Sequence, residues 1–186
     1  MFVTIRPARI GDLPILEALI PESARLLQAG YYSSEQIEGA IGTVFGVDRQ
    51  LIMDGTYFVA EIAGQVVGCG GWSKRKSLYG SDRARKDPDP LLDPASESAR
   101  IRAFFVRPGF ARHGIGRQLM AECESAALQA GFRSIEIVAT LAGEPLYASF
   151  GYAAGESFEI VLPNGSSIRV ARMAKSHGKP RTESAE

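Results

Sequence analysis

Short apolar runs, most of them alternating with polar residues, predict several strands along this chain. They are expected at residues 2–7, 56–63, 65–73, 101–106 and 133–140, with a hairpin over 157–173. Asn164-Gly165 lies inside that hairpin and is a strong signal for a tight turn. Because strands follow one another directly in two parts of the chain, the order favours a mixed α/β (α+β) fold over a doubly wound nucleotide-binding sheet.

Apolar residues at helical spacing predict helices between these strands. A helix over 13–20 is expected to be interrupted by Pro21, which has no N–H to donate. Ser33-Ser34-Glu35-Gln36 offers a capping box for a second helix, whose apolar positions continue to Phe45. A third helix carries an apolar stripe over 115–127.

Two segments lack such periodicity. Residues 75–98 are polar, rich in Pro and Asp, and long for a connection inside a compact domain, so they form either a functional lid or a solvated insertion. Residues 176–186 are expected to form a disordered C-terminal tail. The remaining residues 1–175 then form a single domain.

Composition limits the kinds of binding partner and the cellular compartment that are expected. The chain of 186 residues has 21 basic and 21 acidic residues, so neither nucleic acid nor a membrane surface is expected as a partner. It shows no apolar run of membrane-spanning length and no evident secretion signal, and a cytoplasmic location is expected. Cys69 and Cys123 match no metal or redox spacing, and with two histidines in the chain no metal site is expected.

The segment VRPGFARHGIGR over 106–117 places glycines between a strand and a helix, where anions bind. A dinucleotide fingerprint would need a third glycine, and a P-loop would need Lys and Ser or Thr where Ile115 and Gly116 stand. The remaining pattern, Gly114-x-Gly116 within residues 112–117, would let backbone N–H groups converge on a diphosphate without metal or lysine. A flexible turn before a helix is the plain alternative.

Three motifs in this order resemble the GNAT-type N-acetyltransferase superfamily. Ile5-Arg6-Pro7-Ala8 with Asp12 resembles its first strand and helix start, and Phe104-Phe105-Val106 with the loop that follows resembles its acetyl-CoA motif. Residues 146–152 resemble its C-terminal Y-x-x-x-G-[FY] signature, and the likeness extends to about Lys175. It implies a central, mostly antiparallel twisted sheet of about seven strands flanked by helices, in which a splayed strand pair binds acetyl-CoA.

The resemblance also implies a function and the residues that carry it. An acetyl group would pass directly from acetyl-CoA to a primary amine, on a small molecule, without a metal. Tyr147 would be the catalytic residue, supplying a proton or a hydrogen bond to the departing thiolate. Two groups of residues are implied to bind the cofactor through the main chain. The pantetheine arm would pair with Phe104, Phe105 and Val106, and the diphosphate would be held by Arg112, His113, Gly114, Ile115, Gly116 and Arg117. Phe105 is equally suited to the core, because strand alternation places it on one face with Ile101 and Ala103.

The chain departs from the family pattern at two positions. Arg100 stands where some members carry a glutamate that deprotonates the amine, so the general base is open. The candidates that would act through a water are Glu61, Glu97, Glu136 and Asp82. Thr140-Leu141 stands where the family often has an asparagine beside the pantetheine arm.

The sequence says less about the amine that would accept the acetyl group than about acetyl-CoA, the expected donor. Candidates to contact it are Tyr31, Tyr32, Trp72 and residues 75–98. The three aromatic residues would either stack on a cation or an aromatic amine, or serve as partly buried packing. Two alternatives stay open, a protein lysine or N-terminal acetyltransferase and a non-catalytic acyl-CoA-binding sensor. A homodimer through exposed strand edges is compatible with this sequence.

Overall fold

A seven-stranded sheet forms the centre of the computed structural model, which describes residues 2–84 and 89–178. The strands are β1 (Thr4–Pro7), β2 (Tyr57–Ile62), β3 (Gln65–Ser73), β4 (Ala99–Val106), β5 (Ser134–Thr140), β6 (Ala153–Val161) and β7 (Ser167–Ser176). Their spatial order is β1-β2-β3-β4-β5-β7-β6. Every neighbouring pair is antiparallel except β4 and β5, which run parallel, so the mostly antiparallel mixed α/β sheet is confirmed.

Helices cover both faces of this sheet. They are α1 (Leu13–Leu27), α2 (Ser34–Ala40), α3 (Arg49–Met53), α4 (Ile115–Gln129) and α5 (Glu144–Ser149). The face covered by α1 and α2 is called the α1 face, and the face covered by α4 the α4 face. Successive side chains of β2 point to alternate faces, as in any strand. Val59 packs on the α1 face, and its neighbours Phe58 and Ala60 pack on the α4 face.

Pro21 does not interrupt the first helix, and that prediction was wrong. α1 continues through Pro21 to Leu27. A proline inside a helix removes one hydrogen bond and costs about 3 kcal/mol. The helix buries Leu16, Leu19 and Ile20 before the proline and Ala24 after it. Full burial of a large apolar side chain stabilises by roughly 1.5–3 kcal/mol, so packing on both sides of Pro21 outweighs the local cost.

The second helix starts where the sequence indicates but ends earlier. Ser33 and Gln36 form the predicted capping box, with side chain and backbone exchanging hydrogen bonds. The helix ends at Ala40, whose carbonyl accepts from the N–H groups of Thr43, Val44 and Phe45 in a tight turn. Phe45 therefore lies on a loop that reaches the interior, and α3 follows without having been predicted.

The end of the chain follows the predicted hairpin. β6 and β7 pair around Asn164-Gly165, and Gly165 has a φ of +85°. β7 continues through Ser176, which pairs with Ser134, one residue into the expected tail. Residues 179–186 lie outside the described residues.

The long segment over 75–98 is anchored where it leaves the sheet. Arg75 forms an antiparallel bridge with Leu91, and its guanidinium pairs with Asp54 at 2.7 Å. Residues 85–88 of this segment lie outside the described residues. In the part of the chain that is described, no helix has the length and apolar character needed to cross a membrane.

Candidate functional site

β4 and β5 separate halfway along their length. Among the described residues they pair at Ala99–Ile135, Arg100–Glu136 and Ile101–Ile137, although the strands continue to Val106 and Thr140. The facing edges beyond these pairs have no partner strand within the sheet. This leaves a wedge-shaped gap in which an extended ligand could hydrogen-bond to main-chain groups.

A β-bulge in β4 coincides with the start of this gap. The pairing with β3 shifts between Cys69–Phe105 and Gly71–Arg102, which leaves one extra residue on β4. Ala103 has a φ of +55°, and its carbonyl accepts a hydrogen bond of 3.1 Å from the buried Tyr57 hydroxyl. The bulge is therefore held by a side chain from β2.

The same bulge overturns the expectation that Phe105 shares a face with Ile101. Phe105 and Ala103 pack on the α1 face, whereas Ile101 packs on the α4 face. An extra residue shifts the two-residue alternation of a strand by one position, so side chains beyond it change faces.

A cavity of about 70 Å³ lies in the gap. Most of the residues that line it are apolar, and they come from both strands, from α5 and from two loops. The residues include Val44, Phe45, Leu78, Tyr79, Phe104, Val138 and Tyr147, together with the polar Gln28, Arg102 and Thr140.

Tyr147 reaches this cavity from the α4 face. Its side chain is buried, and its ring packs edge-on against those of Phe104 and Tyr152, each with a centroid distance of 6.3 Å. Gly143 makes room for it, because a Cβ there would lie 2.9 Å from the Tyr147 ring. Burial raises the pKa of Tyr147 well above the usual value, so the phenol keeps its proton at neutral pH. Within the described chain its hydroxyl has no hydrogen-bond partner, and it is available as a donor.

The loop over 112–117 presents unpaired backbone donors. Arg112 has a φ of +62° and Gly114 a φ of +82°, and α4 begins directly after Gly114. In the described residues, no acceptor faces the N–H groups of 112–117. Such donors in series, at the positive end of a helix, form a site for an anion such as a phosphate.

Glycine is favoured at positions 114 and 116 of this loop for two different structural reasons. A Cβ at position 114 would meet nothing within 4 Å, so the left-handed backbone, and not lack of space, favours glycine there. Gly116 has no positive φ in this structure, but a Cβ there would approach a methyl group of Leu146 in α5 to 3.3 Å. Gly116 therefore allows the start of α4 to lie against α5.

The two arginines of the loop also differ. Arg117 donates to the Ser149 hydroxyl at 2.9 Å and lies 5.1 Å above the Phe150 ring, so its charge is already engaged with the end of α5. Arg112 is exposed and has no partner in the described part of the chain. The His113 ring bonds the Ala111 carbonyl at 2.8 Å.

The backbone N–H of Val106 already has a hydrogen-bond acceptor, the Ser23 hydroxyl of α1 at 3.3 Å. A ligand that uses this N–H would have to replace the contact with Ser23.

None of the candidate acids reaches the cavity in the described chain. Glu136 is buried between Arg100 and Arg172 in an ion-paired group. Glu61 pairs with Arg6 at 2.6 Å. The other two acids accept from backbone N–H groups, Glu97 from Asp93 and Asp82 from Arg49.

Tyr31, Tyr32 and Trp72 do not form a cluster, so the stacking interpretation was wrong, whereas the packing alternative holds for Tyr32 and Trp72. Tyr32 is buried on the α1 face, where its hydroxyl donates to the Arg169 carbonyl at 2.6 Å. Trp72 is buried on the α4 face, edge-on to Phe132 at 5.9 Å. The sheet separates them, because Tyr32 lies between α1 and α2 on the α1 face and the Trp72 side chain leaves β3 on the α4 face.

Sequence reasoning missed Arg102, although a charged residue inside the apolar run IRAFFV was a signal. Its side chain is buried and pairs with buried Asp48 at 2.9 Å. It also donates to the Ser77 carbonyl at 2.9 Å and to the Gly80 carbonyl. One side chain thus connects the bulged strand to residues 77–80, of which 78–80 line the cavity.

Sequence reasoning also missed Gln28, for which the sequence carries no signal. It follows the last residue of α1, and its Nε2 donates to the Thr140 hydroxyl at 3.3 Å. A residue at the end of the first helix is thereby placed beside the end of β5.

A second cavity, of about 740 Å³, lies between α1, α3 and the loop after α2. Its charged groups neutralise one another, since Arg49 lies 3.6 Å from Glu17 and 3.8 Å from Asp82. Phe45 lines both cavities and stands between this one and Tyr147. No cluster of His, Cys, Asp or Glu in residues 2–84 and 89–178 could hold a metal ion.

The sequence model of the acetyltransferase (GNAT) domain matches residues 53–154, more than half of the 186-residue chain. No curated protein sequence matches the chain.

Several solved structures share the fold at low sequence identity. The GCN5-related N-acetyltransferase from Rhodopseudomonas palustris is 21% identical with a TM-score of 0.68, over 95% of this chain and 96% of that one. The PaiA N-acetyltransferase from Thermoplasma acidophilum, solved with coenzyme A, is 17% identical with a TM-score of 0.64, over 95% and 100%. The ribosomal-protein-alanine N-acetyltransferase from Brucella melitensis is 23% identical with a TM-score of 0.62, over 93% and 99%.

Proposed function

The chain belongs to the GNAT acetyltransferase family, and on that premise we propose that it transfers an acetyl group from acetyl-CoA directly to the primary amine of a small molecule. The observation that carries the proposal is the row of unpaired backbone N–H groups over 112–117, at the start of α4. Hydrogen bonds to charged oxygens are among the stronger ones in proteins, and this site suits a diphosphate that is held rather than cleaved.

The gap between β4 and β5 would take the pantetheine arm. Phe105 is paired with Cys69 of β3, so the main-chain groups of its neighbours Phe104 and Val106 lie on the edge of β4 that β5 has left. An extended arm can pair with such an edge. The Thermoplasma acidophilum neighbour was solved with coenzyme A, which supports the same donor here. The thioester would then lie in the cavity lined by Tyr147, whose protonated hydroxyl can donate to the departing sulfur.

The buried cysteines support direct transfer over an acyl-enzyme intermediate. Burial raises the pKa of Cys69 to about 12, and the pKa of Cys123 is also raised by burial. The thiolate is the nucleophilic form of cysteine, so neither thiol is suited to attack at neutral pH. Neither residue lines the described cavity.

The cavity supports a small acceptor with an apolar body. Its wall on the α1 face includes Val44, Phe45, Leu78 and Tyr79, and Arg102 fixes the residues around Tyr79 in place. A fixed and narrow wall favours a compact amine over an extended peptide.

The test combines acetyl-CoA binding by calorimetry with thiol release from acetyl-CoA in the presence of primary amines and of peptides. We expect binding, and turnover with small amines. Turnover confined to peptides would replace the proposed acceptor by a protein lysine or N-terminus. Binding without turnover on any amine or peptide would contradict the enzymatic proposal and favour an acyl-CoA sensor.

The two loop arginines give a matched pair of variants. Arg112→Ala is expected to raise the Kd for acetyl-CoA about threefold, because an exposed charge near a phosphate contributes roughly 0.2–1 kcal/mol. Arg117→Ala is expected to leave that Kd nearly unchanged and to lower the free energy of unfolding by about 1 kcal/mol, since it loses the Ser149 and Phe150 contacts. Calorimetry and chemical denaturation measure the two effects. A larger loss of acetyl-CoA affinity in Arg117→Ala would show that its side chain, rather than that of Arg112, holds the diphosphate.

A further inference from the structure

The side-chain amide of Gln28 ends inside the cavity between β4 and β5 with half of its hydrogen-bonding capacity unused. Its Nε2 donates to the Thr140 hydroxyl, while its Oε1 is buried and has no donor among the described residues. A buried acceptor without a partner destabilises a protein, and such groups are uncommon in native structures. An unpaired oxygen in a ligand cavity therefore indicates that a ligand supplies the missing donor.

The missing donor has a defined chemistry. An amide oxygen accepts hydrogen bonds and donates none, so its ligand must bring an N–H or O–H group. Under the proposed function, two such sources enter this cavity, the acceptor amine and the amides of the pantetheine arm.

The position of Gln28 favours the amine. α1 lies on one face of the sheet and Tyr147 reaches the cavity from the other, so the amide oxygen and the phenol approach the thioester from opposite faces. That arrangement suits aminolysis, because the amine can reach the carbonyl carbon from one side while the thiolate leaves near a proton donor on the other. Val44 and Phe45, on the same wall as Gln28, would contact the body of the amine.

We propose, as an inference that rests on the proposed function, that Gln28 Oε1 accepts a hydrogen bond from the acceptor amine and orients it for attack. The nitrogen lone pair forms the new C–N bond, and the C–S bonding pair leaves with sulfur. The nitrogen loses one proton to solvent, and the sulfur gains one from Tyr147, which is reprotonated by solvent. Positive charge develops on nitrogen during attack, so its hydrogen bond to Gln28 strengthens in the transition state and accelerates the reaction. Gln28 is not the base, because an amide does not take up the proton.

The test compares Gln28→Leu, which removes the oxygen at similar volume, with Gln28→Glu, which keeps an oxygen there. The Thr140 hydroxyl can reverse its role and donate to the carboxylate. Gln129→Leu is the matched control, since Gln129 also ends a helix but is exposed on α4. The probes are phenethylamine, hexylamine and spermidine. For each protein we would measure kcat/KM for the amine, the Kd of acetyl-CoA, thermal unfolding, and amine binding to the coenzyme A complex by calorimetry.

Gln28→Leu is expected to lower kcat/KM for the amine about 10- to 100-fold, the range for a lost hydrogen bond to a charged group. The Kd of acetyl-CoA should stay within about twofold, and Gln28→Glu should keep amine affinity. The control should match the wild type in every measurement.

Four outcomes would overturn the assignment. The first is an unchanged kcat/KM in a folded Gln28→Leu protein. The second is a weakened acetyl-CoA affinity with amine affinity retained, which would place the oxygen on the pantetheine arm. The third is an equal loss in Gln28→Glu, which would mean that the amide presents its NH₂ group to the cavity. The last is a wild-type complex that binds none of the three amines. A wild type that binds amines but turns none over would contradict the proposed function alone, and the binding titration would still decide on Gln28.

Discussion

Tyr147→Phe is expected to lower kcat by about 10² to 10⁴-fold, the usual contribution of a positioned acid or base, while the Kd of acetyl-CoA stays unchanged. The substitution removes the hydroxyl and keeps the ring, so packing against Phe104 and Tyr152 is preserved. Because the hydroxyl has no partner among the described residues, its loss leaves no group unpaired, and the free energy of unfolding should not fall. Steady-state thiol release and calorimetry measure the two constants.

The matched control for Tyr147 is Tyr152→Phe. Tyr152 is buried beside Tyr147, but it does not line the described cavities, so its variant should keep kcat. Equal kcat values for wild type and Tyr147→Phe would remove the phenol from the mechanism. A similar fall in both variants would assign the effect to packing.

The pH dependence of the rate gives a further readout of Tyr147. Burial raises its pKa above the usual value of about 10, so its active, protonated form is present across the neutral range and is lost only as pH rises through the raised pKa. The acceptor amine works in the opposite sense, since its neutral form attacks and grows as pH rises. We therefore expect kcat/KM to increase from pH 7 to about 10 without a descending limb from Tyr147. A fall beginning near pH 8 would contradict this assignment.

Gly114→Val is expected to raise the Kd for acetyl-CoA about 10- to 100-fold. Gly114 has a φ of +82°, and a β-branched residue there is a strained outlier. Since a Cβ would meet nothing within 4 Å, the effect comes from the backbone and not from a clash. The loop would have to rearrange and its N–H groups would no longer converge. One lost hydrogen bond to a charged group costs about 1.5–3 kcal/mol, which corresponds to roughly 10- to 150-fold.

Gly109→Val is the control for this experiment. Gly109 lies in the same connection and is exposed, it has no positive φ in this structure, and a Cβ there also meets nothing within 4 Å. Its variant should bind acetyl-CoA as the wild type does. A normal Kd in Gly114→Val, or the same loss in both variants, would contradict the proposed role of the loop.

Local rules predicted most of the elements and failed where packing outweighs them. The hairpin at Asn164-Gly165 and the apolar stripe of α4 are decided by neighbouring residues, so a sequence window contains the whole cause. Pro21 also carries a local signal, but α1 continues through it because the buried side of the helix spans the proline. At Phe45 the local signal predicted a helix, because the apolar residues up to it have helical spacing, but the chain turns after Ala40 instead.

The bulge in β4 could not be predicted in the same way. It depends on the hydroxyl of Tyr57, a residue of β2, which bonds the Ala103 carbonyl across β3. Nothing within the run IRAFFV indicates that partner. In a regular strand, strict alternation would place Phe105 on the same face as Ile101. The bulge shifts that alternation by one position, and the side chain that holds the bulge comes from another strand.

The sequence by itself determined the glycine loop, because the left-handed backbone at Gly114 and the helix start that follows it arise within a few adjacent residues. It also determined the order of the strands and of the longer helices, which depends on periodicities of two and 3.6 residues, but not the short helix α3. Only the tertiary structure decided what surrounds the cavity. Gln28 and Thr140 are 112 positions apart and meet because α1 ends where β5 ends, a juxtaposition that arises from packing and leaves no pattern along the chain.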